Sequence, residues 1–300
     1  MPKNPFFALK KFFAAYYQFH PHRCQPGVSM NVPLNKASIE FEGMQAGYYH
    51  AGKGKPLMLI HGSGPGASSL GNWSRVLEPL GHDYHIFAMD LIGFGISDRK
   101  AEPPYFDFPL WIRQAKAMLD YIGSAEIGII GHSLSAAIAL SLASSDKRVS
   151  AVLTTGAIGA PFLATAATQR IWRCPQNRDE LIATLGTLIH DQSIIDDNYI
   201  KAREPVVFAP GYAEYFNAMF TGEPQRYVEM TTLGDEVLSA INCPVVMLHG
   251  RDDIPFPKST SEYLSAKIKY ADLHILSECS HSVAFERTRA FMAAAHQLFQ

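Results

Sequence analysis

The chain reads as an α/β fold: a mostly parallel sheet flanked by helices on both faces and interrupted, after its sixth strand, by a block of helices. Three observations predict this. Strand-like and helix-like segments alternate from Ser38 onward. Several strand-like segments are continuous apolar runs rather than alternating ones, as strands covered on both faces must be. The rhythm stops between about residues 160 and 235, where prolines, aromatics and helix-like segments occur without a convincing strand.

Taken in order, residues 39–41 and 47–50 suit a short antiparallel pair, and residues 56–61 (PLMLIH) a buried central strand running into a Gly-rich turn. Residues 85–90 (HIFAMD) repeat that pattern and end in the loop LIGFGISD. A helix over 110–122 leads to a strand at 126–131 (EIGIIG), a helix over 135–144 and a strand at 149–156. After the helical block, strands return at 243–249 (CPVVMLH) and 273–276, before a last helix carrying Phe291 and Leu298. This divides the chain into a core of residues 31–159 and 236–300 and a helical cap, 160–235. The cap is expected over the strand ends, where open α/β sheets bind ligands.

Residues 1–30 stand apart as a helical extension. Lys3, Lys10, Lys11 and Gln18 share one helical face, with Phe and Tyr over the rest. Such a helix either lies on a membrane or a partner subunit, or docks on the protein's own body. It lacks the clean apolar centre and small-residue cleavage site of a secretory signal.

With 300 residues, 47% hydrophobic and 18% charged, the chain can bury one large core. A net charge of −2 and the lack of a long basic run argue against a nucleic-acid partner or an anionic membrane. No apolar stretch is long enough to form a transmembrane segment. Cys24, Cys174, Cys243 and Cys279 are scattered, without a CxxC pair or metal-ligand spacing, so free thiols and a cytoplasmic location are expected. Neither internal repeats nor low-complexity tracts are visible.

The strongest chemical signal is residues 129–136, IIGHSLSA, in which an apolar strand runs through Gly131-His132-Ser133-Leu134-Ser135 directly into a helix. That is the setting of a G-x-S-x-G nucleophile elbow, whose tight turn lifts the serine side chain clear. Ser135 replaces the second glycine. A nucleophilic serine needs a base, and the base an orienting acid, in the chain order Ser, acid, His. His281 follows the strand of LHILSECS, whereas His274 falls inside that strand and His296 inside the last helix. Asp253 takes the acid's place in the G-R-x-D spacing after VVMLHG, with Asp252 beside it as the competing choice. The sixth strand, by contrast, is followed by no acid (TTGAIGAP).

The third element is His61-Gly62-Ser63-Gly64-Pro65-Gly66, which lacks the G-K-[ST] of a phosphate loop and any G-x-G-x-x-G leading into a helix. Beside a nucleophilic serine it supplies an oxyanion-hole N–H from Ser63, and Leu134 supplies the second. His61 reads as a structural hydrogen-bonding residue, while His132 could face either the core or a substrate. Triad and oxyanion hole suffice for hydrolysis, so neither a metal nor an organic cofactor is implied. A homo-oligomer, dimer or larger, stays open.

HGSGPGASSLGNW, residues 61–73, resembles the oxyanion loop of the meta-cleavage product hydrolases, members of the α/β-hydrolase superfamily that break a C–C bond in ring-opened products of aromatic catabolism. The resemblance runs from about residue 40 to the end. It implies an α/β-hydrolase fold with the triad Ser133, Asp253 and His281, and a small acidic substrate bound near Gly62, Gly64 and His132. Asn72 falls on the family's active-site asparagine. In the cap, DQSIIDDNYIKAR puts Arg203 on the arginine that holds the dienoate's acidic end, a role suited to a guanidinium fork. Without the resemblance Arg203 would be one arginine among several, with Arg170, Arg173 and Arg178. The chain departs from the family at His132, usually asparagine; at Ser135 and Ala136, usually glycines; and at Ser282, usually tryptophan. C–C hydrolysis of a 2-hydroxy-6-oxo-dienoate is the leading expectation. Ester hydrolysis, for example of an aromatic half-ester, and a non-catalytic ligand-binding protein are the alternatives. The cap aromatics Trp172, Tyr212, Tyr215, Phe216 and Phe220 suit either an apolar pocket or the cap's own core.

Overall fold

A computed structural model describes residues 32–300 apart from Ala202; the expected N-terminal helix and Cys24 lie outside the described residues. The described residues form an eight-stranded sheet in the order β1-β2-β4-β3-β5-β6-β7-β8. The strands are β1 (Asn35–Phe41), β2 (Met44–Ala51), β3 (Pro56–Ile60), β4 (His85–Met89), β5 (Ile127–His132), β6 (Val149–Thr155), β7 (Val245–Gly250) and β8 (Ala271–Leu276). β2 pairs antiparallel with both β1 and β4, and every pairing from β4 through β8 is parallel. The expected strands are all present, with the first two longer than their apolar patterns suggested. Exposed polar residues such as Asn35 and Gln45 continue the β1–β2 ladder, which needs backbone pairing and only one covered face.

Burial explains the continuous apolar runs. In β3, Met58 and Ile60 pack with Trp111, Met118 and Ile138 on one face of the sheet, whereas Leu57 and Leu59 pack with Leu80, Phe291 and Ala295 on the other. Both faces are therefore covered, and a polar residue in β3 would face a core on either side. The helix Phe108–Ile122 begins where Asp107 accepts the Leu110 N–H at 3.0 Å and ends at Gly123, left-handed at φ 68°. Two short helices, Ser69–Trp73 and Leu77–Asp83, fill the connection from β3 to β4. No helix of the described residues is long and apolar enough to cross a membrane.

Between β6 and β7 the described residues are helical or irregular, from helix Ala166–Ile171 to helix Asp235–Ser239. Strand order reverses at β3, which lies between β4 and β5. Ligands bind at such switch points, beyond the carboxyl ends of the strands. The loops after β3 and β5 meet there, and they carry Ser63 and Ser133.

Candidate active site

β5 is buried along its length and feeds straight into the helix Leu134–Ser145, with Ser133 between them at φ 57°, ψ −122°. A positive φ costs a non-glycine residue on the order of 1–3 kcal/mol, so the surroundings must hold it. They do so through the backbone. Ser133 N–H donates to the Thr155 carbonyl at 2.9 Å, and the Ser133 carbonyl accepts from Ala136 at 3.0 Å and Ile158 at 3.1 Å. Close packing also dictates Gly131, where a Cβ would stand 2.4 Å from the Ser135 carbonyl oxygen. Position 135 itself admits a side chain. Ser135 is fully buried, and its Oγ donates to the His61 carbonyl at 2.5 Å. The substituted glycine thus becomes a tie between the elbow helix and the loop after β3.

Asp253 and His281 leave the ends of β7 and β8. His281 Nδ1 lies 2.7 Å from Asp253 Oδ2, and both side chains are buried. The other carboxylate oxygen, Oδ1, accepts the Phe256 N–H at 3.1 Å. Burial opposes ionisation of Asp253, but the charge and hydrogen bonds of His281 and His249 outweigh it and hold the carboxyl well below the usual range. The neighbouring acids point in different directions. Asp252 accepts the Cys279 N–H at 3.3 Å and faces His190 at 3.4 Å, and it makes no contact with His281 among the described residues. Gly156 leaves the histidine room, since a Cβ there would meet His281 Nδ1 at 2.7 Å.

The loop after β3 is fixed by its own histidine. His61 is fully buried, with Nδ1 2.6 Å from the Gly62 carbonyl, and its Nε2 accepts the Leu91 N–H at 3.1 Å. It is committed to structure. Gly62 presses against the elbow, where a Cβ would lie 3.0 Å from His132 Cδ2 and 3.1 Å from Ser133 Cβ. Gly64 lines the cavity without that constraint, its nearest neighbour being Ile171 at 3.9 Å. The Ser63 N–H has no backbone partner among the described residues, and Leu134 opens its helix, so its N–H is one of the orphan donors of a helix start. Ser63 Oγ accepts from Trp172 Nε1 at 3.2 Å, which leaves the backbone N–H as the loop's offered donor.

Ser63, His132, Ser133 and His281 line one solvent-connected cavity, together with Asn72, Arg203, Ser282 and the apolar side chains of Ile171, Leu185 and Leu188. Ser133 Oγ makes no protein hydrogen bond among the described residues. In a free enzyme catalytic hydrogen bonds are often long and tighten in the complex. His132 faces the cavity rather than only the core. Its Nδ1 lies 3.1 Å from the Thr155 carbonyl and 2.9 Å from Thr155 Oγ1, and its ring centroid is 4.7 Å from that of His281. Burial, reinforced by repulsion from His281, holds its pKa well below the usual histidine value.

Arg203 stacks over Tyr199 with Cζ 3.6 Å from the ring centroid, and its Nη2 donates to the Tyr199 hydroxyl at 2.6 Å. No carboxylate lies within ion-pair distance of it among the described residues. Arg178, by contrast, is spent on Glu204 at 2.5 Å and on Asp197. Asn72 sits in the helix Ser69–Trp73, and its side-chain amide has no partner among the described residues. Arg203, held by Tyr199 through its ring, hydroxyl and carbonyl, therefore keeps an un-neutralised charge at the cavity, and Asn72 adds amide donors with no partner among the described residues.

The five cap aromatics do not line this cavity; Trp172, Tyr212, Phe216 and Phe220 are buried in the core, with Trp172 stacked on Phe220 at 5.4 Å. Three contributors escaped sequence reasoning: His249 against Asp253, Trp172 against Ser63, and Gly156 beside His281. Each acts across a gap in sequence that periodicity does not reveal.

Comparison with known proteins extends these observations. The family model described as "Alpha/beta hydrolase family" matches residues 57–295. The chain is 31% identical over 267 residues to a 2-hydroxymuconate semialdehyde hydrolase of Pseudomonas sp. (strain CF600), covering 87% of this chain and 94% of that one. It is 28% identical to a 2-hydroxy-6-oxo-2,4-heptadienoate hydrolase of Pseudomonas putida F1, covering 83% and 91%. Among solved structures, a meta-cleavage product hydrolase from Pseudomonas fluorescens IP01 superposes with a TM-score of 0.83 at 27% identity, over 90% of this chain and 98% of that one.

Proposed function

Because the chain belongs to the alpha/beta hydrolase family, we propose that this hydrolase cleaves a C–C bond in 2-hydroxy-6-oxo-dienoates, the ring-opened products of aromatic degradation. One observation carries the proposal. The guanidinium of Arg203, which has no acidic partner among the described residues, and the amide of Asn72 line the same cavity as Ser133 and His281. A carboxylate fits that end of the cavity. The names of the relatives support the same substrate class.

In the proposed course the dienol ketonises while Arg203 and Asn72 hold its acidic end. His281, oriented by Asp253, takes the Ser133 proton as Oγ attacks the remote ketone. The resulting oxyanion accepts from the amides of Ser63 and Leu134. The C–C bond then breaks, its electron pair taking up a proton to give the first acid. Water next opens the acyl-enzyme and releases the second acid. Residues 160–235 serve as the cap that supplies Arg203. The unpaired thiols of Cys174, Cys243 and Cys279 support a cytoplasmic location.

A second reading has its own observation. His132 and Ser282, both facing the cavity, replace the family's asparagine and tryptophan. Ester hydrolysis of an aromatic half-ester would use the same triad with these substitutions as its adaptations. Following the absorbance of a ring-fission dienoate tests the first reading: the wild-type protein should bleach it, and Ser133→Ala should not.

A further inference from the structure

Asp253 Oδ2 is shared. His281 Nδ1 lies 2.7 Å from it on one side and His249 Nε2 3.3 Å from it on the other, and all three side chains are buried or nearly so. His249 ends the apolar run of β7 and is itself fully buried. The tautomer follows from its partners. Its Nε2 stands 3.0 Å from the Phe256 carbonyl, which can only accept, so Nε2 carries the proton. Ser261 Oγ, 2.7 Å from Nδ1, is then placed to donate to the lone pair there. The Nε2 proton is thus split between a carbonyl and a triad carboxylate.

We infer that His249 is a positioning residue that acts through Asp253, fixing the carboxylate's orientation toward His281 and drawing on its charge. The inference rests on the triad roles proposed above. A carboxylate that already accepts from a second imidazole attracts an imidazolium less strongly than one that does not. Removing the His249 donor therefore strengthens the hold of Asp253 on the His281 ring and moves the acid limb of Ser133 reactivity to higher pH. The other titratable groups facing this pair are His132, whose ring is 4.7 Å from that of His281, and Cys279 on the loop before it. Neither is among the polar partners of His249, which are Ser261, Phe256 and Asp253.

The test is the pH dependence of Ser133 labelling by a fluorophosphonate, which needs the serine and its base and no particular natural substrate. In the full-length protein, His249→Phe should move the acid limb of the labelling rate up by roughly half to one pH unit. His249→Gln, whose amide can donate from about the position of Nε2, should bring the limb back toward wild type. A folded His249→Phe with an unmoved limb overturns the inference, as does an equal shift in both variants. If His249→Phe does not fold, the His249→Gln and His249→Asn pair decides by the same criterion, because Asn cannot reach Oδ2. Wild-type protein that is not labelled at Ser133 would instead reject the triad reading itself, so the two failures are distinguishable.

Discussion

Ser135 Oγ donates to the His61 carbonyl at 2.5 Å, tying the helix that follows Ser133 to the loop that carries Ser63. The bond converts a lost glycine into a restraint on the proposed oxyanion donors, Ser63 and Leu134. Ser135→Ala leaves a buried carbonyl unpaired and should cost about 1–3 kcal/mol of stability. It should also lower kcat more than it changes KM, because the loop amide matters most in the transition state. Urea unfolding and steady-state kinetics on one ester substrate measure both effects.

The neighbouring aspartates separate cleanly. Asp253 touches His281, and Asp252 faces His190. Asp253→Asn should reduce kcat by roughly 10³–10⁴, since the histidine loses the partner that sets its tautomer. Asp252→Asn should stay within about threefold of wild type, consistent with a partly exposed pair. Parallel kcat determinations check the contrast.

Among the described residues Arg203 meets no acid, so its charge is available to a ligand. Arg203→Gln should lower kcat/KM for an anionic dienoate by about 10–100-fold, the weight of a charge-assisted hydrogen bond. For a neutral p-nitrophenyl ester the change should be small. An equal loss on both substrates would place Arg203 in structure rather than recognition.

His132 gives the stability profile a sign. Its folded-state pKa lies well below the ordinary histidine value because burial disfavours the cation. As pH falls below about 6.5 the unfolded chain takes up a proton that the native state refuses, so stability falls. His132→Asn removes this contribution and should flatten the loss between about pH 6.5 and 5. Urea midpoints across that range, compared with wild type, test it.

Much of this site was legible in the sequence, because the chemistry sits where strands end. Ser133 and the His61–Gly66 loop follow apolar runs that form buried strands, and His281 follows the half-exposed edge strand β8. The G-R-x-D spacing points to Asp253 with Asp252 as its competitor, and side-chain direction separates them in the fold, since Asp253 reaches His281 and Asp252 faces His190. Arg203 was visible only through resemblance, because an arginine's lack of an acidic partner is a property of the folded cap. His249 was illegible for a different reason. It closes a run that reads as apolar strand, and its partner lies in the following loop. The helices Ser69–Trp73 and Leu77–Asp83 also went unseen, being too short to show a period and containing Gly71, Pro79 and Gly81.

The most direct measurement is the ratio of specificity constants for a ring-fission dienoate, a phthalate half-ester and a p-nitrophenyl ester, determined side by side on the same preparation. C–C hydrolysis at the Ser133 centre predicts the largest kcat/KM for the dienoate, with two acids formed in equal amounts and both lost in Ser133→Ala. Turnover of the esters with an inert dienoate would contradict it.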